Sequence, residues 1–239
     1  MKTPEIAWPH GVLPVLGEDA EQIAGQLASR IAEALQAVLS REPRASLAVS
    51  GGSTPVGLFR ALSRKPLDWA RVNITLADER WVAEDDPASN TRLVREHLLQ
   101  GPAAAARFFG LKQPRATAQQ GQPDCEQALA DLKWPLDVLV LGMGNDGHTA
   151  SLFPDAPELP RALDPGNPDV TIAVNPPSQA QPRISLTAAA LGRARLVFLH
   201  IRGEDKLDTL RQALARPEQT AAMPIRLFLR PGLQVFWSP

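Results

Sequence analysis

The stretch from Leu136 to Phe153, LDVLVLGMGNDGHTASLF, constrains this chain more than any other. Asp137 to Leu141 is a short run rich in Val and Leu, the pattern of a strand covered on both faces. Gly142, Gly144 and Gly147 follow at once, where a backbone can turn sharply and approach a ligand closely. Asn145, Asp146 and His148 then stand at the strand's carboxyl end, where open α/β sheets bind their ligands. A chain organised around such a unit is expected to be α/β, with its chemistry on His148.

Related units recur along the sequence. Val12–Leu16 reads as a first strand, and Glu18–Asp19 opens a helix with Ile23, Leu27, Ile31, Leu35 and Val38 at three- and four-residue spacing. Leu47–Val49 runs into Ser50-Gly51-Gly52-Ser53-Thr54-Pro55, and a helix follows through Leu58 and Leu62. Strand, glycine turn and helix amino terminus make an anion site, because free N–H groups and the helix dipole point at whatever binds there. Pro55 suits the first helical turn, where its missing N–H costs nothing. Val72–Leu76 is a third strand, ending in Ala77-Asp78-Glu79-Arg80-Trp81.

Further on, the pattern predicts a helix over Thr91–Leu99, a strand over Arg107–Leu111, a loose segment Gln113–Pro123 and a helix over Asp124–Leu132. Five prolines between Pro154 and Pro168 predict an irregular excursion. Strands are expected at Val170–Val174, Arg183–Leu186, Leu196–Ile201 and Leu233–Trp237, with helices at Thr187–Leu191, Gly203–Leu214 and Ile225–Leu229. The alternation implies one α/β domain over residues 1–239, Rossmann-like, a mostly parallel sheet with helices on both faces. The strand ends after Val49, Leu76 and Leu141 then converge on one edge.

Composition and missing motifs narrow the function. Of 239 residues, 44% are hydrophobic, enough for a sizeable core. Lys and Arg number 25 against 26 Asp and Glu, so the net charge of -1 gives no bulk attraction to nucleic acid. The single cysteine, Cys125, excludes an intramolecular disulfide framework and any multi-cysteine zinc site. The start, MKTPEIAWPHGVLPVL, has too short an apolar stretch for a signal peptide, and no run approaches the ~20 apolar residues of a membrane helix. A cytoplasmic protein is expected, and as a monomer.

Gly142, Gly144 and Gly147 form a literal G-x-G-x-x-G, but the dinucleotide fingerprint also needs a continuing helix and an acid ~20 positions on at a strand end. Prolines follow instead. The loop Ser50–Pro55 lacks the lysine of a nucleotide triphosphate loop, and neither a G-x-S-x-G elbow nor an H-E-x-x-H pair is present. Asp78 and Glu79 read equally as a solvated turn or as site acids. His10 and His97 read as surface residues, His200 as a satisfied core histidine, Cys125 as chemically inert and Trp81 as packing. Arg183 and Lys206 are surface charges unless an anion site gathers them.

The ordered set SGGSTP (Ser50–Pro55), LADERWV (Leu76–Val82), SNTRLV (Ser89–Val94), LGMGNDGHTASLFP (Leu141–Pro154), RISLT (Arg183–Thr187) and GEDK (Gly203–Lys206) resembles the 6-phosphogluconolactonases. The wider superfamily includes glucosamine-6-phosphate isomerases and deaminases. The resemblance implies hydrolysis of 6-phosphoglucono-δ-lactone, a phosphorylated sugar lactone of the oxidative pentose phosphate pathway, with no metal or organic cofactor. It implies that His148 is catalytic with Asp146 as its neighbouring acid, and that Gly51, Gly52, Ser53 and Thr54 lie beside the sugar phosphate. Arg80, Arg183 and Lys206 match basic residues that hold the phosphate and sugar acid, and Asn145 and Asp78 join the substrate site. The deaminase loop has a Glu five positions after its histidine; here that position is Phe153, so a ring-opening relay is incomplete. The expected mechanism is direct attack of water activated by His148, since an ordinary imidazole pKa near ~6.5 leaves it neutral at neutral pH. Asp146 or Asp78 orients the ring. The oxyanion donors are N–H groups of the Gly142–Gly147 turn or Arg183.

Overall fold

The strands predicted from Val- and Leu-rich runs pair as a parallel sheet, because connecting segments return the chain to the same edge before each new strand. A computed structural model describes residues 6–239; the first five residues of the amino-terminal stretch lie outside it. The elements are β1 (Leu13–Leu16), α1 (Ala20–Leu39), β2 (Ala45–Val49), α2 (Pro55–Leu62), β3 (Val72–Leu76), β4 (Asp78–Arg80), α3 (Asn90–His97), β5 (Arg107–Phe109) and α4 (Ala118–Ala128). They continue with β6 (Val138–Leu141), α5 (Leu159–Leu163), β7 (Thr171–Val174), β8 (Arg183–Leu186), α6 (Ala188–Leu191), β9 (Leu196–Arg202), α7 (Glu204–Ala215) and β10 (Gln234–Ser238).

The main sheet has the order β1-β10-β9-β6-β2-β3-β5, with every pairing parallel. Every residue of β2, β3 and β6 is buried. Successive side chains point to opposite faces, so both faces of these central strands are covered. On one face α1 presses Ile23, Leu27, Ile31 and Leu35, each almost wholly buried. Asp19 caps that helix by accepting the Glu21 N–H at 2.8 Å.

From β2 the chain winds outward through β3 to β5, then returns to lay β6 on the other side of β2 and proceeds to β9 and β10. The winding direction reverses between β2 and β6, and a crevice opens at the carboxyl ends of such strands. Ser50–Thr54 follows β2 and Gly142–His148 follows β6.

The structure corrects the expected sheet in one respect. β7 and β8 stand outside the parallel sheet, in a second sheet of order β4-β8-β7 with antiparallel pairing. Its third member, β4, is the Asp-Glu-Arg segment read as a strand end or turn. Ala77 is the step between sheets: its N–H donates to Val49 O at 2.8 Å, while its carbonyl accepts from Leu186 N at 2.9 Å.

A second correction concerns α4, which starts at Ala118 inside the segment read as loose and carries Pro123 within it. Thr117 caps it through the Gln120 N–H. Gln122 and Glu126, four residues apart on one face, take the open edge of β7. Gln122 bonds Thr171 O at 2.8 Å and Ala173 N at 3.1 Å, and Glu126 accepts from Thr171 N and Oγ1, both at 2.5 Å. Satisfying an edge strand outweighs the hydrogen bond that Pro123 removes. The proline-rich excursion also contains the short α5, and the helix expected at Ile225–Leu229 is a 3₁₀ helix over Pro224–Phe228.

Candidate active site

The loop after β6 folds back on itself within eight residues. Gly144 N donates to His148 O at 2.9 Å, Gly147 N to Gly144 O at 3.0 Å, and Thr149 Oγ1 to Gly142 O at 2.8 Å. The imidazole of His148 lies so close over Gly144 that a Cβ there would fall 2.1 Å from Nδ1. Only glycine leaves that space.

His148 Nδ1 meets Asp146 Oδ1 at 2.5 Å, and the His148 backbone N–H donates to the same oxygen at 3.0 Å. Asp146 thus forms the turn in which an aspartate binds the backbone two residues on, and the ring swings into the same carboxylate. A two-residue separation is therefore no bar to a direct bond. Asp78, the alternative partner, is engaged elsewhere: its Oδ2 accepts from Ser151 Oγ at 2.5 Å. Partial burial works to raise the Asp146 pKa, but the hydrogen bond and charge of His148 outweigh it and hold the carboxyl below its usual value. One face of the His148 ring rests on Phe153, with centroids 4.1 Å apart. The Arg183 guanidinium carbon lies 5.8 Å from the centre of that same phenyl ring.

The opposite wall comes from β2, α2 and the small sheet. Gly51 touches Asn90: a Cβ at position 51 would sit 1.8 Å from Asn90 Oδ1. Asn90 is itself fixed by donating Nδ2 to Asp78 O at 2.8 Å. The β4–β8 register sets Arg80 directly opposite Arg183, an arrangement that like charges disfavour. Each guanidinium has one bond nearby, Arg80 Nη1 to Ala88 O at 2.7 Å and Arg183 Nη2 to Gln179 Oε1 at 2.8 Å. The Nε of each is buried without a partner. Burial lowers the Arg183 pKa from the usual guanidinium value, and the Arg80 charge adds to this while Asp78 and Glu79 oppose it. Two facing cations with unused donors form a receptor for an anion.

These walls enclose an open cleft of about 320 Å³. The structure brings Gly51, Gly52, Ser53, Thr54, Asp78, Arg80, His148, Arg183 and Lys206 to its lining. Asp146 stands behind His148. Asn145 lies on the exposed side of the turn, away from the lining, with its carbonyl 3.4 Å from Thr209 Oγ1. Glu79 is fully buried and fastens α3, accepting from Arg80 N, Asn90 N and Thr91 N at 2.7–2.8 Å. The solvated-turn reading of Asp78 and Glu79 therefore fails for both. Cys125 is buried and its thiol is pushed up to about 12, chiefly by burial.

Sequence reasoning passed over Ser50, Asn90, Gln179 and His200, all of which line the cleft. Asn90 lies within the S-N-T-R-L-V signature, so a signal existed. His200 was read as satisfied, yet its Nδ1 is buried with no hydrogen-bond partner. Its position gave the clue: β9 is a fourth parallel strand ending at this edge. Among the described residues no cluster of three or more His, Cys, Asp or Glu is placed to hold a metal ion.

The family model of glucosamine-6-phosphate isomerases/6-phosphogluconolactonase matches residues 18–237. The chain belongs to this family. A 6-phosphogluconolactonase of Pseudomonas aeruginosa is 47% identical over 100% of both chains, and one of Rhizobium meliloti is 44% identical over 93% of this chain and 97% of its own. A crystal structure of a 6-phosphogluconolactonase from Shewanella baltica superimposes with a TM-score of 0.92 at 46% identity, covering 96% of this chain and 99% of that one. Likeness of this extent makes the chain an enzyme of the lactonase branch. No helix among the described residues is long and apolar enough to cross a membrane.

Proposed function

We propose that this lactonase-branch enzyme hydrolyses 6-phospho-D-glucono-1,5-lactone to 6-phospho-D-gluconate in the cytoplasm, with His148 as the general base and residues 1–239 acting as one catalytic unit. The observation that carries the reading is the His148–Asp146 couple sharing Phe153 with Arg183, which stands opposite Arg80 in the β4–β8 register. A carboxylate bonded to Nδ1 keeps the proton on that nitrogen and leaves Nε2 as the acceptor. Nε2 takes a proton from water as the water oxygen bonds the lactone carbonyl carbon. The tetrahedral intermediate collapses, the bond to the ring oxygen breaks, and the imidazolium returns its proton to that oxygen. Asp146 stabilises the imidazolium between the two steps.

Gly144 N–H and Gly147 N–H are committed within the turn, so the Arg183 guanidinium, which lines the cleft, is the better donor for the developing oxyanion. The phosphate takes no part in bond making. Arg80, Lys206 and the Gly51–Thr54 loop at the amino end of α2 bind it, and its charge-assisted bonds hold the remote carbonyl in place. Phe153 supplies no acid, so nothing at that position completes a ring-opening proton relay.

The test is a lactonase assay on 6-phosphogluconolactone beside unphosphorylated gluconolactone, with spontaneous hydrolysis subtracted. The wild type should prefer the phosphorylated substrate, and His148→Ala should lose roughly 10²–10⁴-fold in kcat. A variant that keeps near wild-type kcat would remove His148 from the general-base role.

A further inference from the structure

His200 stands near the carboxyl end of β9, beside the end of β6. Val140 of β6 aligns with Val49 of β2 and Phe198 of β9. Two residues beyond Phe198, His200 is on the same face of β9, while Gly51 and Gly142, two residues beyond Val49 and Val140, lie just past the ends of β2 and β6. Of these three positions only His200 carries a side chain. Gly142 and His200 both line the cleft, and a Cβ added at Gly142 meets nothing within 4 Å, so the cleft is open at that glycine. His200 lines the cleft, yet it is only 5% exposed and its Nδ1 is sealed off without a partner. Phe198, two residues earlier on the same face of β9, and Phe236, opposite His200 on β10, pack edge to face with centroids 5.8 Å apart. An apolar residue would continue that core without leaving a polar atom unpaired, so an unsatisfied imidazole here needs a reason.

We propose that His200 is a specificity-determining residue, hydrogen-bonding a ring hydroxyl of the substrate through the part of its imidazole that lines the cleft. This rests on the reading of the cleft as a phosphorylated-lactone site. The chemistry favours a hydroxyl over the other groups of such a substrate. With Nδ1 sealed, one ring nitrogen is left for a ligand; in a neutral imidazole it is a donor in one tautomer and an acceptor in the other, and a hydroxyl can answer either. The phosphate offers acceptors alone and has Arg80, Lys206 and the Gly51–Thr54 loop, while the carbonyl has His148 and Arg183. Burial lowers the His200 pKa to about 4, so the ring is uncharged at neutral pH and adds nothing to the cationic wall.

The test compares wild type and His200→Phe on 6-phosphogluconolactone and on a panel of its deoxy and epimeric analogues, each formed in situ by oxidising the matching sugar 6-phosphate. On the parent lactone His200→Phe should lose on the order of tenfold to a hundredfold in kcat/KM, mostly through KM. The wild type should lose a similar factor on the one analogue lacking the contacted hydroxyl, and His200→Phe should lose nothing further on it. Equal losses on every analogue, or an unchanged KM on the parent, would overturn the assignment. If the Phe variant does not fold, His200→Gln, which keeps a polar head, carries the comparison, and an unchanged ratio of parent to analogue is the overturning result. A wild type inactive on all phosphorylated lactones removes the functional reading and this proposal with it. An active wild type with indifferent variants removes His200 alone.

Discussion

Asp146 and His148 are two residues apart in sequence, and one carboxylate oxygen serves both the backbone and the ring of His148. That double use makes the couple a local property of the turn, independent of any distant acid. Asp146→Asn keeps the shape but presents an amide. If its NH₂ meets Nδ1, the ring proton moves to Nε2 and the base is lost; if its oxygen does, the charge that stabilises imidazolium is still gone. The expected result is a fall of roughly 10²–10⁴-fold in kcat with little change in KM, read by steady-state kinetics. Stability should respond to pH in a defined sense. The folded carboxyl has a pKa below its unfolded value near ~3.9, so its contribution is present above that value and is lost as pH falls through the folded one. Wild type and variant should therefore converge in melting temperature in strong acid. The side chain is 44% exposed, so screening keeps the difference small. A difference that widens on acidification would contradict the assignment.

Among the elements, β4 has only three residues yet joins several parts: it leaves the main sheet at Ala77, aligns Arg80 with Arg183 and anchors α3 through Glu79. The Glu79 carboxylate accepts three backbone N–H groups and the Ser89 hydroxyl. Glu79→Gln turns a donor toward those donors and should destabilise by about 1–3 kcal/mol, lowering the melting temperature by roughly 2–10 °C in a chain of this size. A melting temperature within a degree of wild type would show that the carboxylate does not fasten α3. None of this was legible in Asp-Glu-Arg, because three polar residues at a strand end carry no periodic signal. The buried parallel strands were legible, since runs such as Val72–Leu76 and Val138–Leu141 bury every residue. The start of α4 was not, because the edge of β7 that its Gln122 and Glu126 satisfy lies more than forty residues away. For the site the same division holds. The loops at Ser50–Thr54 and Gly142–His148 announce themselves by glycine and polar spacing. His200 sits inside an apolar run, and only its place near the carboxyl end of β9 separates it from the core.

Across the molecule, polar burial is distributed unevenly between the two ends of the parallel sheet. At the amino end Asp137 is fully buried and fully engaged, bonding Ser46 N at 2.8 Å and Lys133 Nζ at 2.5 Å, with Arg195 at 3.2 Å. At the carboxyl end the balance is reversed. Six described residues hold buried side-chain atoms with no partner, and four of them, Ser50, Arg80, Arg183 and His200, line the cleft. A chain of net charge -1 thus gathers Arg80, Arg183 and Lys206 around one cleft, where a phosphorylated ligand would balance their charge. Ligand binding should then stabilise the fold well beyond its effect on chemistry. At about 100 times its Kd, 6-phosphogluconate should add ~2.7 kcal/mol, or roughly 5–10 °C in melting temperature. Gluconate at the same concentration should add far less, and high salt should erode the shift where the charges remain open to solvent. Arg183→Ala separates the two roles. Removing one of two like charges opposed in the β4–β8 register relieves repulsion, so the unliganded variant should melt at or near the wild-type temperature, while the part of the shift that 6-phosphogluconate owes to its sugar-acid end is lost. A variant that melts much lower and keeps the full ligand shift would make Arg183 a structural residue and take it out of the substrate site.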